Sequence, residues 1–219
     1  MLNIYRCRVE LHDSLYFATR EIGRLYETEA ILHNYGLCYA LGLVTEDSYR
    51  YFCSEQIPRY EEHLTPLNER GIYVTPADSI THKSILNTWK YANNNYHTEM
   101  EKTQKNFPSF GRNKEIAPES IFECFILSKN TIRLPRWIRL GKWASKAEMT
   151  LERIDGGRVR EGVFTCHHPL NPLDVMFGNQ VMAYDVINMP PVSLIRNVTI
   201  RGSYFEKLNL PVNMSYRFS

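Results

Sequence analysis

Apolar and polar positions alternate at the start of the chain. Tyr5, Cys7, Val9 and Leu11 fall on one side, and Arg6, Arg8 and Glu10 on the other. This period of two predicts an amphipathic strand whose polar face carries two arginines. Ser14 to Glu27 is mixed and predicts an irregular start. From Thr28 the apolar residues crowd together as Ala30, Ile31, Leu32, Tyr35, Leu37, Cys38, Ala40 and Leu41. Thr28 can cap a helix, Glu29 suits its positive end, and Gly42 can stop it. The pattern predicts a buried helix beginning at Thr28. A second helical stretch is expected over Ser54 to Arg70 despite Pro58 and Pro66, followed by short strands at Ile72 to Val74 and Ile121 to Leu127.

Ala147 to Ile154 and Arg158 to Cys166 both have strand composition, and Asp155-Gly156-Gly157 between them predicts a hairpin turn. Two late strands, Val192 to Ile200 and Tyr204 to Leu208, are expected to turn at Arg201-Gly202-Ser203. Residues 91 to 119 are polar, carry Asn, Pro and Gly, and cannot build a core; they read as an excursion or partly ordered loop. No tandem repeat is present. The order of elements predicts one α+β domain over residues 1–219, most simply a ferredoxin-like core with a long polar insertion and a C-terminal β-rich region.

Composition narrows the class. Of 219 residues 43% are hydrophobic, enough for a core. The N-terminus has no signal-peptide pattern, and no run reaches the ~20 apolar residues that cross a bilayer, so the expectation is a cytoplasmic protein without a membrane partner. Five scattered cysteines without a CxxC pair read as reduced, mostly buried thiols.

Charge changes the picture more. The net charge is only +2, yet Glu10 to Glu62 holds ten acids against four bases, and Cys124 to Ala147 holds six bases and no acid. The basic block, TIRLPRWIRLGKWASKAEM, spaces Arg133, Arg136, Arg139, Lys142 and Lys146 around Trp137 and Trp143. Pro135 and Gly141 argue against one continuous helix there. Guanidinium and ammonium groups take phosphates while indole faces stack on exposed bases, so the combination points to RNA or another single-stranded nucleic acid. A solvated cationic surface with inward-turned tryptophans is the plainer alternative. Arg6 and Arg8 would extend the same surface.

His167 and His168 are adjacent, so on a strand they face opposite ways and do not chelate one metal. No phosphate-cradling glycine loop or nucleophile motif is present. Neither a metal, a cofactor nor a catalytic residue is assigned.

Four blocks carry a family resemblance: Val9 to Asp13 (VELHD), Phe17 to Leu43 (FATREIGRLYETEAILHNYGLCYALGL), Leu134 to Met149 (LPRWIRLGKWASKAEM) and His168 to Asp174 (HPLNPLD). Together they resemble the RAMP-type subunit of type I-D CRISPR effector complexes, the Cas-five family member also called Csc-one. The resemblance implies a noncatalytic assembly subunit with an RRM-related, ferredoxin-like domain. Such a subunit caps the foot of a Cascade-like complex in antiviral defence. It grips the five-prime handle of the CRISPR RNA and touches the large subunit and the first backbone subunit, with target DNA near the protospacer-adjacent motif a further candidate partner. The insertion at 91–119 resembles the family's thumb-like hairpin, which adds Arg112 and Lys114 to the RNA-binding candidates. Two readings compete. One is an endoribonuclease of the same superfamily that processes precursor CRISPR RNA with His33, His167 or His168 as acid or base. The other is a protein scaffold whose basic block docks an acidic neighbour.

Overall fold

A computed structural model describes residues 2–44, 58–91 and 109–218. Strand β1 (Asn3–Leu11) opens the chain, followed by the short strands β2 (Arg20–Ile22), β3 (Leu25–Glu27) and β4 (Ile31–Leu32) and then helix α1 (Asn34–Ala40). Helix α2 (Tyr60–Glu69) precedes β5 (Ile72–Val74), β6 (Ala77–Thr81), β7 (Ser84–Tyr91), β8 (Ser109–Ile116) and β9 (Ile121–Ser128). The basic block contributes β10 (Trp137–Leu140) and the start of β11 (Ser145–Ile154). Strand β12 (Val159–Cys166), helix α3 (Pro172–Met176) and strands β13 (Gln180–Ile187), β14 (Leu194–Phe205) and β15 (Leu210–Pro211) complete an α+β architecture made mostly of strands.

The strands form three sheets. The first runs β10-β11-β1-β9-β6-β4, with β5 also paired to β9; the second runs β2-β3-β8-β7; the third runs β12-β14-β13 with β15 on β14. Strand β1 is central and antiparallel to both neighbours, and its register sets the core. Cys7 lies opposite Cys124 and Leu151, Val9 opposite Phe122 and Met149, and Leu11 opposite Ala147. As the alternation predicts, Tyr5, Cys7, Val9 and Leu11 are buried. Helix α1 packs against β10 and β5, and α2 against β5. The same core takes in Phe164, Cys166, Val198 and Ile200 of the third sheet.

Several expectations are corrected. The first helix begins at Asn34, not near Thr28: His33 is its cap, with Nδ1 accepting from the Tyr35 N–H at 3.2 Å. Thr28 instead ties two extended segments, its hydroxyl donating to the Phe17 carbonyl and accepting from the Phe17 N–H, and Ile31–Leu32 pairs with β6. Gly42, at a φ of 68°, does stop the helix. Of the second stretch, Tyr60–Glu69 is helical, while residues 54–57 lie outside the described residues.

Strands β11 and β12 do not form a hairpin. Strand β11 pairs with β1 along Ala147–Ile154 and with β10 over Ser145–Glu148, while the chain crosses at 155–158 and β12 pairs with β14 in another sheet. The turn expected at Arg201-Gly202-Ser203 is also absent, because β14 runs straight through it. Gly202 serves close approach: it lies opposite Gly162, and a Cβ there would strike the Asn179 side chain. Within the polar stretch at 91–119, residues 109–116 are regular strand paired with β7, and 92–108 lie outside the described residues.

Buried hydrogen bonds lock the layers together. Asp174, on α3, accepts from Asn34 Nδ2 of α1 and from the Tyr73 hydroxyl of β5, both at 2.9 Å, and from the Arg217 N–H at 3.1 Å. The C-terminal segment adds Tyr216, whose hydroxyl accepts from the Val74 N–H at 2.9 Å and lies 3.0 Å from Cys38 Sγ. Asn68 and the Tyr216 backbone exchange two more bonds.

Burial pushes the Asp174 carboxyl up to about 7, although its hydrogen bonds to Arg217, Asn34 and Tyr73 pull the other way. The folded chain therefore keeps a proton on Asp174 where the unfolded chain, with a carboxyl near 3.8, has lost it. The stability this adds is full below about pH 4 and is lost as pH rises to about 7. Asp174→Ala strands three buried donors and should cost about 3 kcal/mol or more, lowering Tm by roughly 6–12 °C. In urea melts followed by circular dichroism, the stability advantage of wild type over Asp174→Asn should shrink between pH 4 and pH 7. An advantage that stays constant over that range contradicts the assignment.

Candidate nucleic-acid interface

The basic block folds as a short edge hairpin. Strand β10 pairs with β11, setting Trp137 opposite Glu148 and Arg139 opposite Lys146. The turn between them is tight: Gly141 has a φ of 69°, and a Cβ there would lie 2.6 Å from both Leu15 Cδ1 and the Tyr16 carbonyl oxygen. Segment 12–16 straps the turn down. The Lys142 N–H donates to the Tyr16 carbonyl at 2.9 Å, the Lys146 N–H to Asp13 Oδ2 at 2.8 Å, and Ser145 Oγ to the Ser14 carbonyl at 2.6 Å. Cations and indoles are thereby held on a rigid backbone.

Carboxylates temper those cations. Arg136 grips Glu148 through Nε at 2.7 Å and Nη2 at 2.6 Å. Arg139 lies 3.9 Å from Asp13 and donates to the Ala144 carbonyl at 3.1 Å. Lys146 sits 4.0 Å above the centre of the Trp137 ring, a cation–π contact, and His12 meets the same ring edge-on at 5.0 Å. Lys142 is exposed and has no carboxylate partner among the described residues.

Arg6 and Arg8 point out from β1 on the same sheet face, at 3.4 and 3.8 Å from Glu123, with Glu152 3.6 Å from Arg6. That face is a ladder of both signs. Arg133 is set apart in a recess with Arg70, Leu43 and Ile72. On β8, Lys114 lies 3.9 Å from Glu27 and Arg112 is exposed.

The two tryptophans diverge. Trp137 faces a groove beside α1. Trp143 stacks on Tyr16 at 4.8 Å and meets Trp89 of β7 edge-on at 5.7 Å. Tyr16, Tyr26, Trp89, Asn113 and Trp143 line a cleft of about 280 Å³. Asn113 is buried, accepts from the Trp89 indole N–H and donates to Glu115 at 2.6 Å. Sequence reasoning missed Trp89, Tyr16, Tyr26 and Asn113. A tryptophan in the polar run before residue 91 was the available signal.

The histidines considered as acid or base lie in different places. His33 caps α1 with Nε2 3.1 Å from the Val192 carbonyl oxygen. The His168 Nε2 lies 2.8 Å from the Pro76 carbonyl oxygen and 2.8 Å from the Thr75 hydroxyl. Burial pulls both imidazoles down to about 4, so both are neutral at physiological pH. His167 is exposed beside Asn197. Among the described residues, no three His, Cys, Asp or Glu side chains are grouped to hold a metal ion, and no helix is long and apolar enough to cross a membrane.

The sequence matches the family described as type I-D CRISPR-associated protein Cas5/Csc1 over residues 2–219. The chain belongs to this Cas5/Csc1 family. No curated protein matches it. Among solved structures it is similar to a chain of the type III-B Cmr-beta complex bound to cognate target RNA, with 15% identity and a TM-score of 0.45. That alignment covers 70% of this chain and 61% of the other, so the chain spans less than two thirds of that relative's length. A chain of the same complex with cognate target RNA and AMPPnP aligns at 8% identity and TM-score 0.45, covering 92% and 84%.

In this Cas5/Csc1 chain Glu148 is the main counter-charge at the hairpin. Glu148→Gln should free Arg136, raise affinity for polyanions severalfold and delay elution from a heparin column. Earlier or unchanged elution would show that the pair does not limit the surface.

Proposed function

We propose that the chain is a noncatalytic RNA-holding subunit of a type I-D Cascade effector complex. It grips the five-prime handle of the CRISPR RNA and sits at the foot against the large and backbone subunits. One observation carries this reading: an edge hairpin strapped down by segment 12–16 carries Arg136, Arg139, Lys142 and Lys146 together with two exposed indoles. Phosphates would replace Glu148 and Asp13 as partners of the arginines, and unstacked bases would lie on Trp137 or enter the Trp143–Trp89 cleft. Arg6, Arg8, Arg112 and Lys114 would extend the track, with Arg133 as an outlying contact. The antiparallel sheet centred on β1 supports the ferredoxin-like core the resemblance implies, while α1 and α2, which follow one another between β4 and β5, lie against β5 and β10.

The noncatalytic part is supported by the engagement of His33 and His168 within the fold. Purified protein incubated with repeat RNA in EDTA should shift the RNA and leave it intact; a specific cut lost in His167→Ala would establish the nuclease instead.

Changing Arg136, Arg139, Lys142 and Lys146 together to Ala should weaken handle-RNA binding at least 10-fold. It should also lower the slope of log affinity against log salt by up to about 3, since each phosphate contact on a single strand contributes about 0.7. A quadruple variant with wild-type affinity and slope would remove the hairpin from the RNA site.

A further inference from the structure

A second alternation runs through the basic block. Ile132 and Leu134 pack against the core, and Ile138 and Leu140 are buried in β10. Between them Thr131, Arg133, Pro135, Trp137 and Arg139 are exposed. A period of two describes one extended course, with Arg136, where the chain bends, as its exception. Arg133 and Arg139 therefore stand on one side of the course, about 20 Å apart at roughly 3.3 Å per residue.

At the far end of this course Arg133 meets two cations from elsewhere. With Arg70, Asn130 and Thr131 it lines a recess of about 310 Å³ whose other walls are apolar and which no carboxylate lines. Arg70 is held in place by donating through Nη1 to the Leu43 carbonyl at 2.8 Å, which uses one of its five donors. Gly71, at a φ of 65°, lets Lys129 lie alongside: a Cβ there would come within 2.5 Å of Lys129 Cδ, and the Lys129 N–H donates to the Gly71 carbonyl at 3.0 Å. Arg70, Lys129 and Arg133 are all exposed, and none has a carboxylate partner among the described residues. An anion arriving here displaces nothing, whereas one at Arg136 or Arg139 competes with Glu148 or Asp13.

The cluster and the hairpin turn lie at opposite ends of β1. Lys129 follows Ser128, the partner of Asn3, while Lys146 accepts from the His12 N–H just beyond Leu11. A ligand that meets both must carry negative charge along its whole length. A nucleic-acid strand does, with one phosphate per nucleotide at a rise of about 3.4 Å when stacked, so roughly 20 Å corresponds to about six nucleotides. We propose that Arg70, Lys129 and Arg133 form a second phosphate anchor, which holds the backbone of the bound RNA at the far end of the course from the hairpin. This rests on the RNA part of the function above, and it makes Arg133 the end of a continuous track.

Lys129→Ala/Arg133→Ala removes two exposed cations and no side-chain hydrogen bond between described residues. Checked by its melting curve, this variant should bind handle RNA 5- to 10-fold more weakly than wild type. Its slope of log affinity against log salt should fall by about 1.4, two phosphate contacts at about 0.7 each. Adding Arg70→Gln, which keeps a donor for the Leu43 carbonyl, should lower both further. Neutral methylphosphonate linkages placed one at a time in the RNA then locate the contacts without any change to the protein. With wild type, two groups of sensitive linkages should appear about six nucleotides apart, and the double variant should silence only one of them. A single group, or the same linkages silenced by the double variant and by the hairpin quadruple variant, overturns the anchor. Wild-type affinity and slope in the double variant, with the quadruple variant defective, also overturns it and leaves the hairpin reading standing. Loss of co-purification with the protein subunits at unchanged RNA affinity would assign the cluster to a protein and overturn the proposal. If wild type does not bind handle RNA, the RNA reading falls and takes the anchor with it.

Discussion

Three elements distant in sequence meet on the carboxylate of Asp174. Asn34 begins α1, Tyr73 lies in β5 and Arg217 belongs to the C-terminal segment; each donates to one buried acid. The position of α1 follows from this junction, together with the His33 contact to Val192. Helix α1 in turn walls the groove that faces β10. The groove wall that faces the hairpin is thus fixed from behind, by a polar knot in the core. A buried acid surrounded by donors is a narrow compromise, since desolvation favours the neutral form and the donors favour the charged one.

In front, the surface is held ready by weak bonds. Arg136–Glu148 and Arg139–Asp13 are exposed pairs, each worth about 0–1 kcal/mol in water. They keep the guanidinium groups extended and apart, yet a phosphate can replace either carboxylate at little cost. The alternation of signs along β1, β9 and β11 explains how a strongly basic segment sits in a nearly neutral chain. Strand pairing brings Glu123 and Glu152 beside Arg6 and Glu148 beside Arg136, and the 12–16 strap brings Asp13 beside Arg139.

Much of this was legible from residue order. The period of two over Tyr5 to Leu11 placed β1, and the run IFECFIL placed β9. The clustering of Arg, Lys and Trp marked the segment that carries the cations, but not the hairpin it folds into. Pairing was not legible, because strand composition carries no partner label. Ala147–Ile154 and Arg158–Cys166 read as neighbours, yet the first pairs with β1 and the second with β14 in another sheet. Glycines misled for a related reason: Gly202 is needed for clearance beside Asn179, and only the fold distinguishes that from a turn. Asp13, which arrives beside Arg139 from far along the chain, was equally hidden.

The placement of the aromatic rings has an optical consequence. The chain has three tryptophans, Trp89, Trp137 and Trp143, and all three are more than two-fifths solvent-exposed on or beside the hairpin surface. Tyrosines and phenylalanines fill the interior instead. Indole emission of the folded chain therefore reports on the local environment of that surface, and a change in its intensity would register an occupant there.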